Sequence, residues 1–314
     1  MHIEKIDIKQ QKIWWKKVRP DSFDSFVGQS HITRILKTAI DSAQKKFHPL
    51  WHILLSGPSG YGKTTLAQIT TTIYGKQFHT VTGYAISKPA ELISIMTSMS
   101  EGDVLFIDEI HRIKPILEEM LYIAMEDFAI DMMMGDGWAV RVPLKPFTLI
   151  GATTKPESLT EPLKNRFIYT FHCVDYDDNE KNKIVERYLN HYEIKYTPHL
   201  IELIARKVDT VPRKIHNLIV KIRDFLISSH HDLILDEHIR KECEHRLSIR
   251  DGGITNIHER YLDILKSNNN AVWLKTIALQ LGINEESVEN EIEPLLLKAW
   301  LIEKTGRGRI LVDW

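Results

Sequence analysis

The sequence predicts an α/β domain on a parallel sheet, then an all-α domain, then a third domain of three helices closed by a strand–turn–strand. Three observations predict this. Five short apolar runs, "WHILLSG", "QFHTVTG", "DVLFIDE", "FTLIGATT" and "FIYTFHCV", alternate with helical patterns. Runs of that length between helices suggest strands buried on both faces of a parallel sheet. From about Asp177 to Leu247 only helical spacing remains, in "NEKNKIVERYLNHY", "TPHLIELIARKV" and "PRKIHNLIVKIRDFLISS". Asp251-Gly252-Gly253 then reads as a linker, and helices are expected at about residues 257–267, 274–281 and 285–299 before "WLIEKTGRGRILVDW". The expected domains are 1–176, 177–250 and 251–314.

Composition agrees with this division. At 314 residues the chain exceeds one ordinary compact core. Its 43% hydrophobic and 26% charged residues are those of a globular protein. Lys and Arg number 41 against 42 Asp and Glu, so any contact with nucleic acid must come from a local patch. Cys173 and Cys243 stand far apart in no metal spacing, which suits a reducing compartment. The polar start "MHIEKIDIKQQK" is no secretory signal, and no apolar run approaches a membrane span. The cytoplasm is the expected location, with no membrane contact. The fifteen histidines form no recognisable metal motif.

Taken in order, the segments carry chemistry at the ends of strands. After the loop "RPDSFDSFVGQ" and a helix at about residues 31–44, the strand "HILLS" runs into "GPSGYGKT", Gly57 to Thr64. This fits the phosphate-binding loop G-x-x-x-x-G-K-[ST] in its required place between strand and helix. Glycines let backbone N–H groups curl round a phosphate, and the helix N-terminus adds positive potential. Lys63 would reach the β- and γ-phosphates, and the Thr64 hydroxyl would hold Mg²⁺. "VLFIDE" is an apolar strand ending in two carboxylates. Asp108 suits the Mg²⁺ shell, and Glu109 suits orientation or deprotonation of an attacking water. Thr154 ends the strand "FTLIGATT", where ligands bind in open α/β sheets, and could position that water. Arg166, before the last strand, could stabilise the charge of phosphoryl transfer. Arg213, behind Pro212 at an expected helix start, could reach the γ-phosphate. A strand-end threonine and two surface arginines are the alternatives at these three positions.

Taken together, these elements resemble an AAA+ ATPase: Walker A, Walker B, sensor 1, arginine finger and sensor 2. The wording is narrower still. "RPDSFDSFVGQ", "LLSGPSGYGKTTLA", "GDVLFIDEIHR", "LYIAMEDFAIDMMMG", "PFTLIGATT" and "TGRGRI" resemble the RuvB family of bacterial Holliday-junction branch-migration ATPases. The similarity runs from about Val18 to Ile310, and the three helices with their strand–turn–strand resemble a winged helix. The resemblance implies an AAA+ P-loop ATPase domain, an all-α lid and a winged helix. It also implies a homohexameric ring that pumps duplex DNA at four-way junctions in recombination, repair and the SOS response. Its cofactors would be ATP and Mg²⁺. Its partners would be a RuvA-type junction-binding protein and, beyond it, a RuvC-type resolvase. By the same resemblance Val18 and Arg19 line the nucleotide site, and Gly60, Gly62, Lys63, Thr64 and Thr65 wrap the phosphates. Tyr176 lies near the adenine, and Arg166 serves the neighbouring subunit's ATP. Glu126, Asp127 and Phe128 match a stretch near the subunit interface. The chain departs from the family at Lys164, where Arg is usual, at Thr210-Val211 before Pro212-Arg213, and in its short end at Trp314. A clamp loader or other AAA+ remodeller is the alternative within ATPases, and a DNA-binding regulator switched by ATP is the alternative outside them.

Two features concern partners. The segment "AIDMMMGDGWAVRV" reads as a hairpin whose Gly135-Asp136-Gly137 turn is flanked by soft apolar side chains. Met and Trp favour protein-binding surfaces, so Met132, Met133, Met134 and Trp138 are candidates for docking on the RuvA-type partner. In the third domain, the expected recognition helix carries Glu285, Glu286, Glu289, Glu291 and Glu293 and would be repelled by phosphates. Lys304, Arg307 and Arg309 on the wing are the candidate DNA contacts. They are expected to meet phosphates or the minor groove with little sequence information, with Gly306 and Gly308 allowing close approach.

Overall fold

The computed structural model describes residues 19–133, 139–229, 232–268 and 270–312. The chain divides between Tyr176 and Asp177 into two compact units. The expected helical lid and winged helix both fall in the second.

The first unit opens with α1 (Ser30–Lys46), whose Ile32, Leu36, Ala39, Ile40 and Ala43 form one buried stripe. Then follow β1 (Ile53–Ser56), α2 (Lys63–Tyr74), β2 (Phe78–Thr82), α3 (Pro89–Ser98), β3 (Val104–Asp108) and α4 (Pro115–Asp127). The antiparallel hairpin of β4 (Ala129–Met133) and β5 (Ala139–Pro143) comes next, paired from Ala129–Pro143 to Met133–Ala139. The residues expected at its tip, Met134 to Trp138, lie outside the described residues, as does Val18. The unit closes with β6 (Thr148–Thr153), α5 (Glu161–Lys164) and β7 (Tyr169–His172).

All five predicted apolar runs became strands of one parallel sheet, in the order β2-β3-β6-β1-β7. The central strands β1 and β6 are buried along their whole length, which is why their sequences read as unbroken apolar runs. The order matters for the site. β1, which feeds the phosphate loop, lies beside β6, and β6 lies beside β3. Three non-consecutive strands therefore deliver their carboxyl ends to one crevice.

The second unit begins with α6 (Asp178–His191), capped by Asp177 and Glu180 in a reciprocal box. β8 (Lys195–Tyr196), α7 (His199–Ala205), α8 (Pro212–Ser228), β9 (Ile234–Leu235) and α9 (Glu237–Arg246) follow. The stretch read as helices alone thus contains one short parallel pair, β8 with β9. Two residues per strand are too few to show a period of two in the sequence.

The winged helix comprises α10 (Asn256–Lys266), α11 (Leu274–Leu281), α12 (Glu285–Ser287), α13 (Glu293–Lys298) and a wing of β10 (Ile302–Thr305) against β11 (Gly308–Leu311). Tyr261, Leu265, Ile277, Val288, Ile292, Leu296 and Ile302 form its core. The expected helix over 285–299 is interrupted by a π-helical turn at Val288–Ile292. Pro294 supplies the reason. It has no N–H to give the Asn290 carbonyl, and its ring crowds that carbonyl, so the turn widens.

Candidate functional site

The phosphate loop is built from positive φ angles. Gly57, Gly60 and Gly62 have φ of 129°, 88° and 93°, which L side chains adopt only under strain. Space forbids a side chain as well. A Cβ on Gly62 would stand 2.8 Å from Phe26 Cζ, and one on Gly57 would stand 3.0 Å from the Cys173 carbonyl. The loop is tied to its neighbours by Gly57 N–H donating to Thr153 O at 3.2 Å and Cys173 N–H donating to Ser56 O at 2.8 Å. Beneath it, the Tyr176 hydroxyl donates to Tyr61 O at 3.1 Å, and the Tyr61 hydroxyl donates to Asp175. Tyr176 is buried against the loop in this way. Gln29 clamps the adjoining chain reciprocally, donating to Val174 O at 2.7 Å and accepting from Val174 N–H at 3.0 Å. Arg19 is exposed, and Thr64 and Thr65 are half-buried in the first turn of α2.

Lys63 is only 6% exposed, and its ammonium donates to the carbonyls of Gly57 at 2.6 Å and Pro58 at 3.0 Å. The loop's own oxygens thus hold a buried cation at the N-terminus of α2, an end whose potential favours an anion. Cys173, buried behind the loop, has its thiol pushed up to about 11 by burial, against the pull of Lys63. It is an inert packing group.

Asp108 and Glu109 end β3, half-buried, with Glu109 in a left-handed conformation at φ 50°. That turn swings its carboxylate toward the end of β6. There Glu109 Oε2 accepts from the Thr154 hydroxyl at 3.0 Å and from Thr154 N–H at 3.3 Å. A residue overlooked in the sequence joins them: His111 Nδ1 lies 3.2 Å from Glu109 Oε2 and 3.0 Å from Thr153 Oγ1. Its signal was only a histidine two places after the glutamate. Gly83, at the end of β2, lets this turn pack closely, since a Cβ there would meet Glu109 O at 2.4 Å.

Arg166 lies just beyond α5 and pairs with Glu126 at the end of α4, its guanidinium 6.0 Å from the Tyr122 ring centre. Its Nε is buried and has no hydrogen-bond partner among the described residues. Buried Glu118 braces the same turn, accepting from the Thr160 hydroxyl at 2.8 Å and from Thr160 N–H at 3.3 Å. Asp127 pairs with Arg141 of the hairpin, and Phe128 packs edge-on to Phe147 at 5.9 Å. Lys164 pairs with Glu161 at 2.9 Å. Arg213 is exposed on the first turn of α8 in the second unit.

The wing holds its basic residues unequally. Arg309 does not project from it. Its Nε donates to Glu293 at 2.8 Å and its Nη2 to Glu289 at 2.9 Å, and only 12% of the side chain is exposed. Lys304 Nζ lies 2.7 Å from Glu293, which is wholly buried and also accepts from the Tyr261 hydroxyl at 3.0 Å. Buried Glu293 and exposed Glu289 are therefore counter-charges to the wing. Burial would raise the Glu293 carboxyl, but bonds from Arg309, Lys304 and Tyr261 outweigh it and hold it below the usual range. Gly308 likewise serves an internal approach, since its Cβ would stand 2.5 Å from Val272 O, where Val272 bridges Arg309. Arg307 stays exposed at the wing tip.

Among the described residues no group of three or more His, Cys, Asp or Glu is placed to hold a metal by itself. Thr64 opens α2 just after β1, and Asp108 ends β3, so both stand at the carboxyl edge of the one parallel sheet. No helix among them is long and apolar enough to cross a membrane.

Comparison with known proteins agrees along the chain. The family model of the Holliday junction DNA helicase RuvB P-loop domain matches residues 18–173, and that of the RuvB C-terminal winged helix domain matches residues 251–313. The Holliday junction branch migration complex subunit RuvB of Campylobacter fetus subsp. fetus (strain 82-40) is 38% identical over 314 residues, 99% of this chain and 91% of that protein. Its namesake from Ehrlichia ruminantium (strain Gardel) is 37% identical over 299 residues, 94% of this chain and 90% of that one. The solved structure of the Thermotoga maritima RuvB Holliday junction branch migration motor superposes with a TM-score of 0.81 at 33% identity, covering 94% of this chain and 96% of that chain.

Proposed function

The chain belongs to the RuvB family, and from that premise we propose that it is an ATP-driven motor that moves duplex DNA through Holliday junctions. The winged helix at residues 251–313 sets it apart from clamp loaders, and the P-loop domain carries the energy source. The observation that supports turnover best is the grouping of Lys63, Asp108, Glu109 and Thr154 at the carboxyl edge of three neighbouring strands.

In this reading Lys63 leaves the Gly57 and Pro58 carbonyls for the phosphates, where its charge is better matched. The N–H groups of Gly60, Gly62, Thr64 and Thr65 hold the phosphate oxygens. Thr64 and Asp108 would hold Mg²⁺, which when bound neutralises charge on the phosphates. Glu109 takes the proton of the attacking water, and Thr154 keeps the carboxylate aimed. Tyr176, Val18 and Arg19 line the nucleoside end. Arg166 and Arg213 stabilise the charge developing on the γ-phosphoryl, Arg166 for the ATP of the neighbouring subunit in a hexameric ring. That role requires Arg166 to exchange Glu126 for a phosphate. Arg307 tracks the DNA backbone without reading bases. The hairpin through Met132, Met133, Met134 and Trp138 docks on a RuvA-type junction-binding protein, and a RuvC-type resolvase is a further expected partner. The cytoplasm is the compartment proposed.

The test is a mixing experiment on junction-stimulated ATPase. Lys63→Ala subunits lack phosphate binding but keep the finger, and Arg166→Ala subunits have the opposite defect. Each alone is expected to be inactive, and mixed rings are expected to recover part of the activity. Absence of recovery in rings shown to be mixed refutes action across subunits. ATPase with no conversion of a labelled four-way junction in the presence of partner refutes the motor.

A further inference from the structure

We propose that His111 is a positioning residue for hydrolysis: with Thr154 it clamps one oxygen of the Glu109 carboxylate and so aims the other at the water. The inference rests on the reading of Glu109 as the base. It starts from an asymmetry. Glu109 Oε2 is met from three directions, by the Thr154 hydroxyl at 3.0 Å, Thr154 N–H at 3.3 Å and His111 Nδ1 at 3.2 Å. No hydrogen bond to Oε1 is found among the described residues, and the Glu109 side chain is 30% exposed. A base held by one oxygen and open at the other cannot rotate away from its target, yet keeps a lone pair for the incoming proton.

The ring's two neighbours play different parts. His111 Nδ1 makes its hydrogen bond with the Thr153 hydroxyl at 3.0 Å and stands 3.2 Å from Glu109 Oε2 as a polar contact; a carboxylate oxygen offers only lone pairs, so the tautomer with hydrogen on Nδ1 is the one that suits this approach. The imidazole is only 10% exposed, and burial pushes its pKa below the ordinary value against the attraction of Glu109. It is therefore a neutral donor that leaves the carboxylate its charge and its basicity. Backbone geometry serves the same end. The left-handed turn at Glu109 brings residue 111 back over residue 109, and His111 then reaches across to Thr153 on β6. One ring thus fixes the ends of β3 and β6 relative to each other, at the place where Thr153 O also holds the phosphate loop through Gly57 N–H.

The experiment uses the full chain with Mg²⁺-ATP and a synthetic four-way junction. His111→Ala is expected to lower kcat by roughly tenfold, about 1.4 kcal/mol of barrier. KM for ATP, affinity for a non-hydrolysable ATP analogue and melting temperature are expected to stay unchanged. His111→Asn, whose amide N–H takes the place of Nδ1–H, is expected to restore most of kcat, whereas His111→Gln, with its donor one bond farther out, is not. In a Glu109→Gln background, His111→Ala is expected to change the residual single-turnover rate no further. An unchanged kcat in His111→Ala, with Glu109→Gln inactive, overturns the proposal and leaves Glu109 as the base. Loss of analogue affinity and melting temperature without rescue by Asn also overturns it, in favour of a structural role. Normal turnover in Glu109→Gln overturns the parent reading itself.

Discussion

Replacing Arg309 by Ala separates a structural wing from a DNA-binding one. The substitution removes a guanidinium that donates to Glu293 through Nε and Nη2 and to Glu289 through Nη2. Glu293 stays wholly buried, and among the described residues Lys304 at 2.7 Å and Tyr261 at 3.0 Å are then the donors that satisfy it. Removing one partner of a buried ion pair costs about 3–5 kcal/mol, and the two surviving donors reduce this to about 2–3 kcal/mol. In a domain of this size each kcal/mol shifts the melting temperature by roughly 4–8 °C, so the winged helix is expected to melt about 10–20 °C earlier. Hydrogen exchange on the full chain locates the change: residues 302–311 are expected to lose protection while the P-loop domain keeps its own. The effect carries a pH signature. The Glu293 carboxyl is held low in the folded state, so its contribution is present above the ordinary glutamate pKa and is lost as pH falls through the folded value. Arg309→Ala removes that acid-labile part of the stability. Arg307→Ala is the contrast. It is expected to leave melting unchanged, to weaken unrelated duplexes equally and to reduce the salt slope by about 0.9. An Arg309→Ala protein with normal melting and wing protection but the DNA defect expected of Arg307→Ala refutes the structural assignment.

Three further outcomes are expected. His52 is buried, with Nδ1 accepting from Leu149 N–H at 2.9 Å and Nε2 donating to Met125 O at 3.1 Å, and burial lowers it from 6.5 to about 4 despite the Met125 bond. Its stabilising effect is complete above pH 6.5 and fades toward pH 4 by up to roughly 3 kcal/mol; NMR detection of a charged His52 imidazole at pH 5.5 in the folded protein contradicts this. Glu118→Ala strands the Thr160 N–H and hydroxyl, costing about 1–3 kcal/mol, and is expected to lower ATPase with ATP affinity intact, because the turn before Arg166 loosens; unchanged kcat excludes that coupling. Changing Met133 and Trp138 to Ser is expected to preserve folding and DNA-independent ATPase but to abolish stimulation by the junction-binding partner, and unchanged partner binding removes the docking idea.

What local spacing encodes was legible in the sequence. The five strands, the phosphate loop between β1 and α2, the paired carboxylates ending β3 and the strand–turn–strand of the wing each lie within a few consecutive residues. A buried strand must be apolar along its length, and a phosphate loop must have glycine where φ is positive, so both leave a mark that needs no partner to be read. The same locality makes the bounds of α11 legible to the residue, and the π-turn at Val288–Ile292 carries an equally local mark in Pro294. What the tertiary structure alone decided is which distant groups meet. The bond from Thr154 to Glu109 spans 45 residues, the contact of His111 with Thr153 spans 42, and the pairing of Arg166 with Glu126 spans 40. Five glutamates on one helix looked like a repulsive surface until Glu293 proved to be buried under Arg309 and Lys304. Charge and spacing cannot distinguish a solvated carboxylate from a buried one, because the difference lies in what packs around it. Strand order brings these groups into contact, and it is settled by the folding of the whole sheet rather than by any single stretch of chain.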